Sequence, residues 1–241
     1  MIGPLHNDLV FHGPMSDARA TAAIESFGDL GGQHVVDLGC GWAELLLRTV
    51  ASDTTATGHG IDTDEGAIAR GRLGARGLPV TLEVGDASKW DGEADVLIVN
   101  GATHIWGGEP VDHTVNALAA ARKRLRRGGR LFLGEGYWEL EPTDEQLAAM
   151  PIERAEYRSL PDLVYLAQEH GFRLLALSRA SRDEWDHFQS RHGLGWEKWL
   201  LANPDAPGRE EVVARADQHR SWWLRGWQDV LGMAYLTLAA T

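Results

Sequence analysis

The sequence has few of the features that would mark a membrane, secreted or disulfide-bonded protein. Its 241 residues include one cysteine, Cys40, so no disulfide can form within the chain. No apolar run approaches the roughly 20 residues that a membrane-spanning helix needs. Residues 1–10 have neither a basic stretch nor an apolar core, so no secretory signal is expected. These absences predict a cytoplasmic protein that does not associate with membranes.

Positive charge is also scarce. Lys and Arg total 23 against 35 Asp and Glu, and the net charge is -12. A chain of this charge repels a phosphate backbone unless a local basic stripe overrides the repulsion. The basic cluster 122–127 has the position expected for the exposed end of a helix that stops at Gly128 and Gly129. The sequence therefore predicts no nucleic-acid partner.

The most informative segment is 35–43, where two valines lead through an acid into a glycine-rich turn. The β-branched residues indicate a strand that ends near Asp37. Gly39 and Gly41 lack the Cβ atoms that would keep a ligand off the backbone, and the helix that follows directs free N–H groups to the same place. This segment predicts a binding site for a nucleotide-like cofactor.

Polar residues also end the next three predicted strands. Asp62 ends the second, at a distance from the glycine turn that suits a carboxylate binding both hydroxyls of a ribose. Asp86 follows the third and is placed to accept a hydrogen bond from an exocyclic amine such as that of adenine. Asn100 ends the fourth. Because parallel strands end at one edge of their sheet, we expect these side chains to meet there.

Helical apolar spacing in 42–50, 64–75 and 111–127 alternates with the strands, a pattern typical of parallel β-α-β units. This alternation predicts an α/β fold and one domain over 1–241. Near the carboxyl end, two aromatic-rich helical stretches separate the last two predicted strands. We expect residues 181–229 to form a helical cap, serving as a lid or dimer contact, or simply as packing against the sheet.

Taken together and in this order, the glycine segment and the three later polar residues resemble the class I S-adenosylmethionine-dependent methyltransferases over about residues 33–135. The resemblance implies a three-layer Rossmann-like fold with a seven-stranded, mostly parallel sheet in the order 3-2-1-4-5-7-6, and S-adenosylmethionine as cofactor. Carried over residue by residue, it implies that Asp37, Gly39 and Gly41 border the methionine part of the cofactor, Asp62 the ribose and Asp86 the adenine. It also implies that Cys40, Thr63 and Ala87 contact the cofactor, and that Asn100 binds it and begins the loop that faces the transferred methyl group.

Two departures narrow the activity that the resemblance implies. Ala43 stands where the family often has a third glycine, and its small side chain should still let helix and strand pack closely. No Pro-Pro-aromatic sequence, which is typical of related enzymes that methylate adenine or glutamine amides, follows Asn100. Its absence disfavours a nucleobase or protein-amide substrate. Residues 101–108 instead resemble a loop in a group of bacterial small-molecule methyltransferases. The prediction is an enzyme that methylates a small molecule, most plausibly at N or O.

Acceptor-side candidates follow the fourth and fifth strands. His104 is the best-placed general base, although a histidine that orders its loop fits the sequence equally well. The predicted substrate contacts are Trp106, Glu135, Tyr137, Trp138 and Trp185. Weaker candidates lie near the amino terminus, at His6, His12, Met15 and Ser16. No metal is predicted, because His104, Glu109 and His113 do not have the spacing of a familiar metal site.

Two other functions stay open on the sequence. An NAD(P)-dependent oxidoreductase would share part of the glycine fingerprint, but Glu44 occupies its third glycine position, where an anion opposes pyrophosphate. A non-catalytic module that binds S-adenosylmethionine without transferring its methyl group is also compatible with the sequence. A homodimer is possible.

Overall fold

One sheet of seven strands runs through the part of the chain that the computed structural model describes, residues 8–241. The strands are β1 (His34–Leu38), β2 (Thr57–Asp62), β3 (Val80–Val84), β4 (Ala94–Asn100), β5 (Leu125–Trp138), β6 (Phe172–Arg179) and β7 (Leu231–Ala240). Their order is β3-β2-β1-β4-β5-β7-β6, and β7 runs antiparallel to both of its neighbours while the other pairs are parallel. The predicted fold class and strand order are confirmed.

Helices cover both faces of this sheet. They are α1 (Asp17–Ser26), α2 (Glu44–Ala51), α3 (Glu65–Gly74), α4 (His113–Arg124), α5 (Asp144–Ala148), α6 (Leu160–Glu169), α7 (Arg182–Ala202) and α8 (Arg209–Ser221). Short turns of 3₁₀-helix at 103–106 and 110–112 lie between β4 and α4. Among residues 8–241, no helix combines the length and the apolar character needed to cross a membrane.

The central strands are apolar on both faces because helices cover both. Val36, Leu97 and Leu131 pack with Leu118 of α4 and Leu163 of α6. Their strand neighbours point to the opposite face, where they pack with α1, α2 and α3; this second layer includes Val35, Ile98, Phe132, Ala20, Leu46 and Ile68. Period-two alternation along each strand thus supplies both core layers.

The boundary between α4 and β5 differs from the sequence prediction. The helix predicted to run to Arg127 ends at Arg124, and Leu125 already pairs with Ala94 of β4. Arg126 forms an ion pair with Asp95 and so joins the strand. The paired glycines therefore lie inside β5 rather than ending a helix, because pairing with β4 begins before them.

Helices α7 and α8 lie between β6 and β7 in the chain, as predicted, and pack on each other. Trp196 of α7 contacts Val212 of α8 in a small apolar cluster. His192 stacks on His219 with ring centroids 5.0 Å apart, and His219 Nε2 is 2.9 Å from the side-chain oxygen of Gln189. The second helix was predicted to continue to residue 229, but it ends at Ser221 and a π-helical turn spans 222–227.

Candidate active site

The carboxyl ends of β1, β2 and β4 open into a cavity of about 540 Å³. This is the edge at which a parallel sheet collects its ligands, because the strand order reverses between β1 and β4. All nine residues predicted to contact the cofactor line this cavity: Asp37, Gly39, Cys40, Gly41, Asp62, Thr63, Asp86, Ala87 and Asn100. The fold has therefore brought together residues that are far apart in the chain.

The turn between β1 and α2 requires its glycines. Gly39 has φ of 78°, and a Cβ there would lie 2.5 Å from the Cβ of Ala102. Ala43 also has positive φ, 61°, although it is not glycine. Cys40 lines the cavity, and burial raises the pKa of its thiol far above the ordinary value. Its side chain is thus a neutral wall group rather than a nucleophile.

Asp62 is fixed before any ligand arrives. Its Oδ2 accepts a 2.7 Å hydrogen bond from the backbone N–H of Gly41, and its Oδ1 accepts one of 2.9 Å from that of Asp64. Asp86 is held in a similar way, since its Oδ1 accepts hydrogen bonds from the backbone and hydroxyl of Ser88. Those bonds lower the pKa of Asp86 and keep it ionised. Two rigid carboxylates therefore face the cavity.

Two further oxygens at this edge have no hydrogen-bond partner. Asp37 Oδ1 and Asn100 Oδ1 are both fully buried acceptors without a donor. Burial, with the nearby charge of Asp62, raises the pKa of Asp37 to about 8. A buried acceptor without a donor is unfavourable unless a ligand supplies one. The site thus suits a ligand that brings N–H donors and positive charge, such as an α-ammonium group.

The charge of the cavity wall points the same way. Among its described lining residues there is no Lys or Arg, and Glu44 in the first turn of α2 adds a further carboxylate. An acidic helix start opposes a phosphate and favours a cation. S-adenosylmethionine, which carries an ammonium and a sulfonium but no phosphate, fits these residues.

Two chain segments cover the cavity from outside the sheet. The amino-terminal segment contributes Phe11 and His12, and α7 contributes Phe188. The His12 ring stacks on Trp42 with centroids 4.8 Å apart, and the Arg70 guanidinium lies 4.0 Å from the centroid of the same indole. His12 was a weak sequence candidate, whereas nothing in the strand-end pattern pointed to the two phenylalanines. His6 lies outside the described residues.

A second cavity of about 260 Å³ adjoins the first, and the two share Gly101 and His104. Of the predicted substrate residues, Glu135 and Trp185 line it. The 3₁₀ turn that follows β4 places His104 at the junction. Burial and the neighbouring His113 ring, 6.4 Å away, lower the pKa of His104. A neutral imidazole at this point can accept a proton.

A buried carboxyl group forms one wall of the second cavity. Glu135 is 6 % exposed; its Oε1 accepts a 2.8 Å hydrogen bond from the backbone N–H of Gly136, and its Oε2 is 3.3 Å from the hydroxyl of Thr114. Burial raises the pKa of Glu135, and it also raises the pKa of Glu156, which lies on the connection between α5 and α6. Tyr157 lies close enough to feel the charge of both.

Comparison with known proteins identifies the family. Residues 36–131 match the model of a methyltransferase domain. A crystal structure of a SAM-dependent methyltransferase from Geobacter sulfurreducens, in complex with S-adenosyl-L-homocysteine, superposes with a TM-score of 0.86 at 27% identity, over 98% of this chain and 96% of that chain. The chain therefore contains a methyltransferase domain and has the class I methyltransferase fold, and both findings support an S-adenosylmethionine-dependent methyltransferase. Enzymes of this family use S-adenosylmethionine as cofactor.

Two other relatives extend the likeness over most of the methyltransferase. The protein YjhP of Escherichia coli (strain K12) is 29% identical over 211 residues, which are 84% of this chain and 83% of that protein. A SAM-dependent methyltransferase from Thiobacillus denitrificans, also in complex with S-adenosyl-L-homocysteine, has a TM-score of 0.86 at 24% identity and covers 98% of this chain and 96% of that chain, which shows the same fold.

The methyltransferase places three of the predicted substrate residues outside both cavities. Tyr137 lies one strand repeat beyond Glu135 and packs against the backbone of Gly232, where a Cβ would come within 2.4 Å of its ring. Trp138 faces the other side and donates a 2.9 Å hydrogen bond to the carbonyl of Arg154. Trp106 packs against the core beside α4. Because a 3₁₀ turn has three residues per turn, a residue two positions after His104 points away from the cavities that His104 lines.

The residues that sequence reasoning missed come from connections and from the helical insertion. Glu156 and Tyr157 lie on the connection before α6, and His113 and Thr114 begin α4. No strand-end signal marks such positions. Across residues 8–241, no group of three His, Cys, Asp or Glu side chains is arranged to hold a metal ion.

Proposed function

We propose that this methyltransferase moves the methyl group of S-adenosylmethionine to a small-molecule acceptor, at nitrogen or oxygen. The observation that carries the proposal is the junction of the two cavities at Gly101 and His104. One cavity has the charge and the buried acceptors that suit the cofactor, and the other offers polar groups to an acceptor. A reacting pair aligned through this junction would meet the geometric demand of an in-line displacement.

The residues of the chain have separate tasks in this proposal. Asp37 and Asn100 accept hydrogen bonds from the ammonium end of the cofactor, and Asp62 binds its ribose. When bound, S-adenosylmethionine supplies a methyl group that is already activated on a sulfonium. His104 accepts the proton that a hydroxyl or ammonium acceptor must lose. Phe11 and Phe188 exclude water from the cofactor side.

A small acceptor, and no nucleic acid, is supported by size and charge. The acceptor cavity of about 260 Å³ lies near the lower end of small-molecule sites, about 300–1,000 Å³. Two arginines of the basic cluster bond within the protein, Arg124 to the carbonyl of Trp90 and Arg126 to Asp95, and the net charge of -12 opposes a phosphate backbone.

The helical insertion, 181–229, serves in this proposal as a cap over both cavities. Phe188 reaches the cofactor cavity, and Trp185, one turn earlier on α7, reaches the acceptor cavity. Deleting 181–229 should therefore weaken the binding of S-adenosyl-L-homocysteine and abolish turnover. A homodimer through these helices stays a prediction, which sedimentation equilibrium at several protein concentrations would test.

Calorimetry and an acceptor screen test the proposal together. Titration with S-adenosylmethionine and S-adenosyl-L-homocysteine should release heat, whereas NAD should not bind, because Glu44 opposes its pyrophosphate. Release of S-adenosyl-L-homocysteine is then measured over a library of amines, alcohols and phenols. Binding without release for every acceptor would favour a non-catalytic module instead.

A further inference from the structure

Two carboxyl groups and two histidines, His104 and His113, line the second cavity. Glu135 and Glu156 line it, and no Lys or Arg stands among its described lining residues. The adjoining cofactor cavity is also acidic and shares this lack of Lys and Arg over its described wall. An anionic acceptor would find no lysine or arginine to pair with here. A cationic one would offset the cost of burying Glu135.

The same cavity also has aromatic and apolar lining residues. Trp185, Tyr157, Leu231 and Met233 line it. The Tyr157 ring lies against β5 because Gly136 leaves room, and a Cβ at that position would come within 2.4 Å of the ring. Carboxylates beside aromatic faces form the environment in which proteins bind ammonium groups. The apolar part suits a compact hydrocarbon body.

From this arrangement we infer that the acceptor is a primary or secondary amine with a small apolar body, which Glu135 and Glu156 hold as its ammonium beside His104. The inference rests on the proposed methyl transfer. In that reaction the ammonium gives a proton to the His104 imidazole, the nitrogen lone pair forms the new N–C bond, and the C–S bond breaks with its electron pair remaining on sulfur. The products are the methylated ammonium, protonated His104 and S-adenosyl-L-homocysteine.

Matched ligands separate this inference from the general proposal. The protein is first saturated with S-adenosyl-L-homocysteine, and calorimetry then measures binding of 2-phenylethylamine, 2-phenylethanol and 3-phenylpropionate, with the same three head groups on a butyl chain. The amines should bind about tenfold or more tightly than their alcohols, because a charge-assisted hydrogen bond is stronger than a neutral one. The carboxylates should bind more weakly than the alcohols.

Substitution of the carboxyl groups locates the effect. Glu135→Gln is isosteric and should reduce amine affinity about tenfold or more while leaving alcohol affinity within about threefold. Glu156→Gln, on a half-buried connection, provides a second variant should the first fail to fold. Glu145→Gln, an exposed glutamate in α5, is the matched control and should change neither.

Each outcome has one meaning. Failure of S-adenosyl-L-homocysteine to bind removes the proposed function itself. If S-adenosyl-L-homocysteine binds but no amine binds more tightly than the matching alcohol, the amine inference is overturned while the proposed methyl transfer stands. The same conclusion follows if none of the six compounds binds. Loss of amine and alcohol affinity together in Glu135→Gln would also overturn it, since a structural role predicts that result.

Discussion

The two cavities are built in different ways. The cofactor cavity takes its polar groups from the ends of β1, β2, β3 and β4, and hydrogen bonds from backbone N–H groups already fix Asp62 and Asp86. The acceptor cavity takes its polar and aromatic groups mainly from connections and helices, such as Tyr157 and Trp185, and adds Glu135 from β5. Residues at strand ends form a rigid site that can be shared by enzymes with the same cofactor. Residues on connections can vary, so the same fold can bind different acceptors in different enzymes.

The largest expected effect tests the boundary between the two cavities. His104→Ala should reduce kcat for release of S-adenosyl-L-homocysteine about 100-fold or more, because it removes the base at the junction, while cofactor affinity stays unchanged. The pKa of His104 is lowered, so the wild-type kcat at saturating S-adenosylmethionine should persist below pH 6.5 and fall as the imidazole becomes protonated. His187→Ala, at an exposed position of α7, is the control. Unchanged turnover and pH profile in His104→Ala would leave that residue a purely structural role.

The next effect concerns the cofactor cavity alone. Asp62→Ala should weaken S-adenosyl-L-homocysteine binding about 100-fold, because it removes a ribose acceptor and frees the glycine turn that Asp62 holds through Gly41. Calorimetry measures the loss. Asp64→Ser, which keeps a capping hydroxyl for α3, should bind normally. Equal losses in both variants would mean that the turn, and not the carboxylate, recognises the ligand.

An ion pair joins α1 to α7, the helix that contributes side chains to both cavities. Its loss should lower the free energy of unfolding. Glu184 accepts hydrogen bonds from Arg19 and from the backbone N–H of Ser16, and the two charged side chains are 9% and 17% exposed. Glu184→Ala should lower the free energy of unfolding by about 2–3 kcal/mol, since it leaves Arg19 without its partner. Urea denaturation measures the difference at neutral pH.

The pH dependence of that difference has a defined sign. The hydrogen bonds from Arg19 and Ser16 outweigh burial and lower the pKa of Glu184 from 4.5 to about 2. A depressed pKa in the folded state contributes stability above the unfolded value, and the contribution is lost as pH falls toward the folded one. The gap between wild type and Glu184→Ala should therefore close between about pH 4.5 and pH 2, a trend that a simple packing defect would not produce.

A smaller effect concerns proton release on the cofactor side. Because the pKa of Asp37 is about 8, its carboxyl is protonated at pH 6–7 and must lose that proton to pair with an ammonium. Binding of S-adenosylmethionine should then release about one proton and strengthen by up to tenfold per pH unit from pH 6 toward 8. Calorimetry in buffers of different ionisation enthalpy counts the proton. Asp37→Asn should abolish the release, and persistence of it would assign the proton to another group.

The smallest effect tests the strain at the start of α2. Ala43→Gly should change the free energy of unfolding by no more than about 0.5 kcal/mol, because relief of the positive φ, about 1–2 kcal/mol, offsets a lost buried methyl and a more flexible chain. Ala167→Gly, buried in α6 with ordinary helical geometry, should cost about 1–2 kcal/mol. Equal costs at the two positions would show that Ala43 is not strained.

Sequence reasoning succeeded where local patterns determine position. The alternation of strands and helices predicted the sheet, and the nine residues that strand-end chemistry predicted to contact the cofactor all line one cavity. It was less successful beyond β5, because residue type does not reveal how far along a strand a cavity extends. Glu135 lines the cavity, whereas Tyr137 lies a strand repeat, about 6–7 Å, past it. Tyr157 and Phe188 depend on tertiary packing of connections, which leaves no periodic signal.

A single carboxylate holds two separate parts of the chain in place. Glu184 caps its own helix through Ser181 and also anchors the segment that carries Phe11 and His12. The helix that it begins presents Trp185 to one ligand site and Phe188 to the other. If Glu184 separated from Arg19, the segments that cover the cofactor cavity and the acceptor cavity would both lose this support. Breaking this one ion pair should therefore affect the binding of ligands in both cavities.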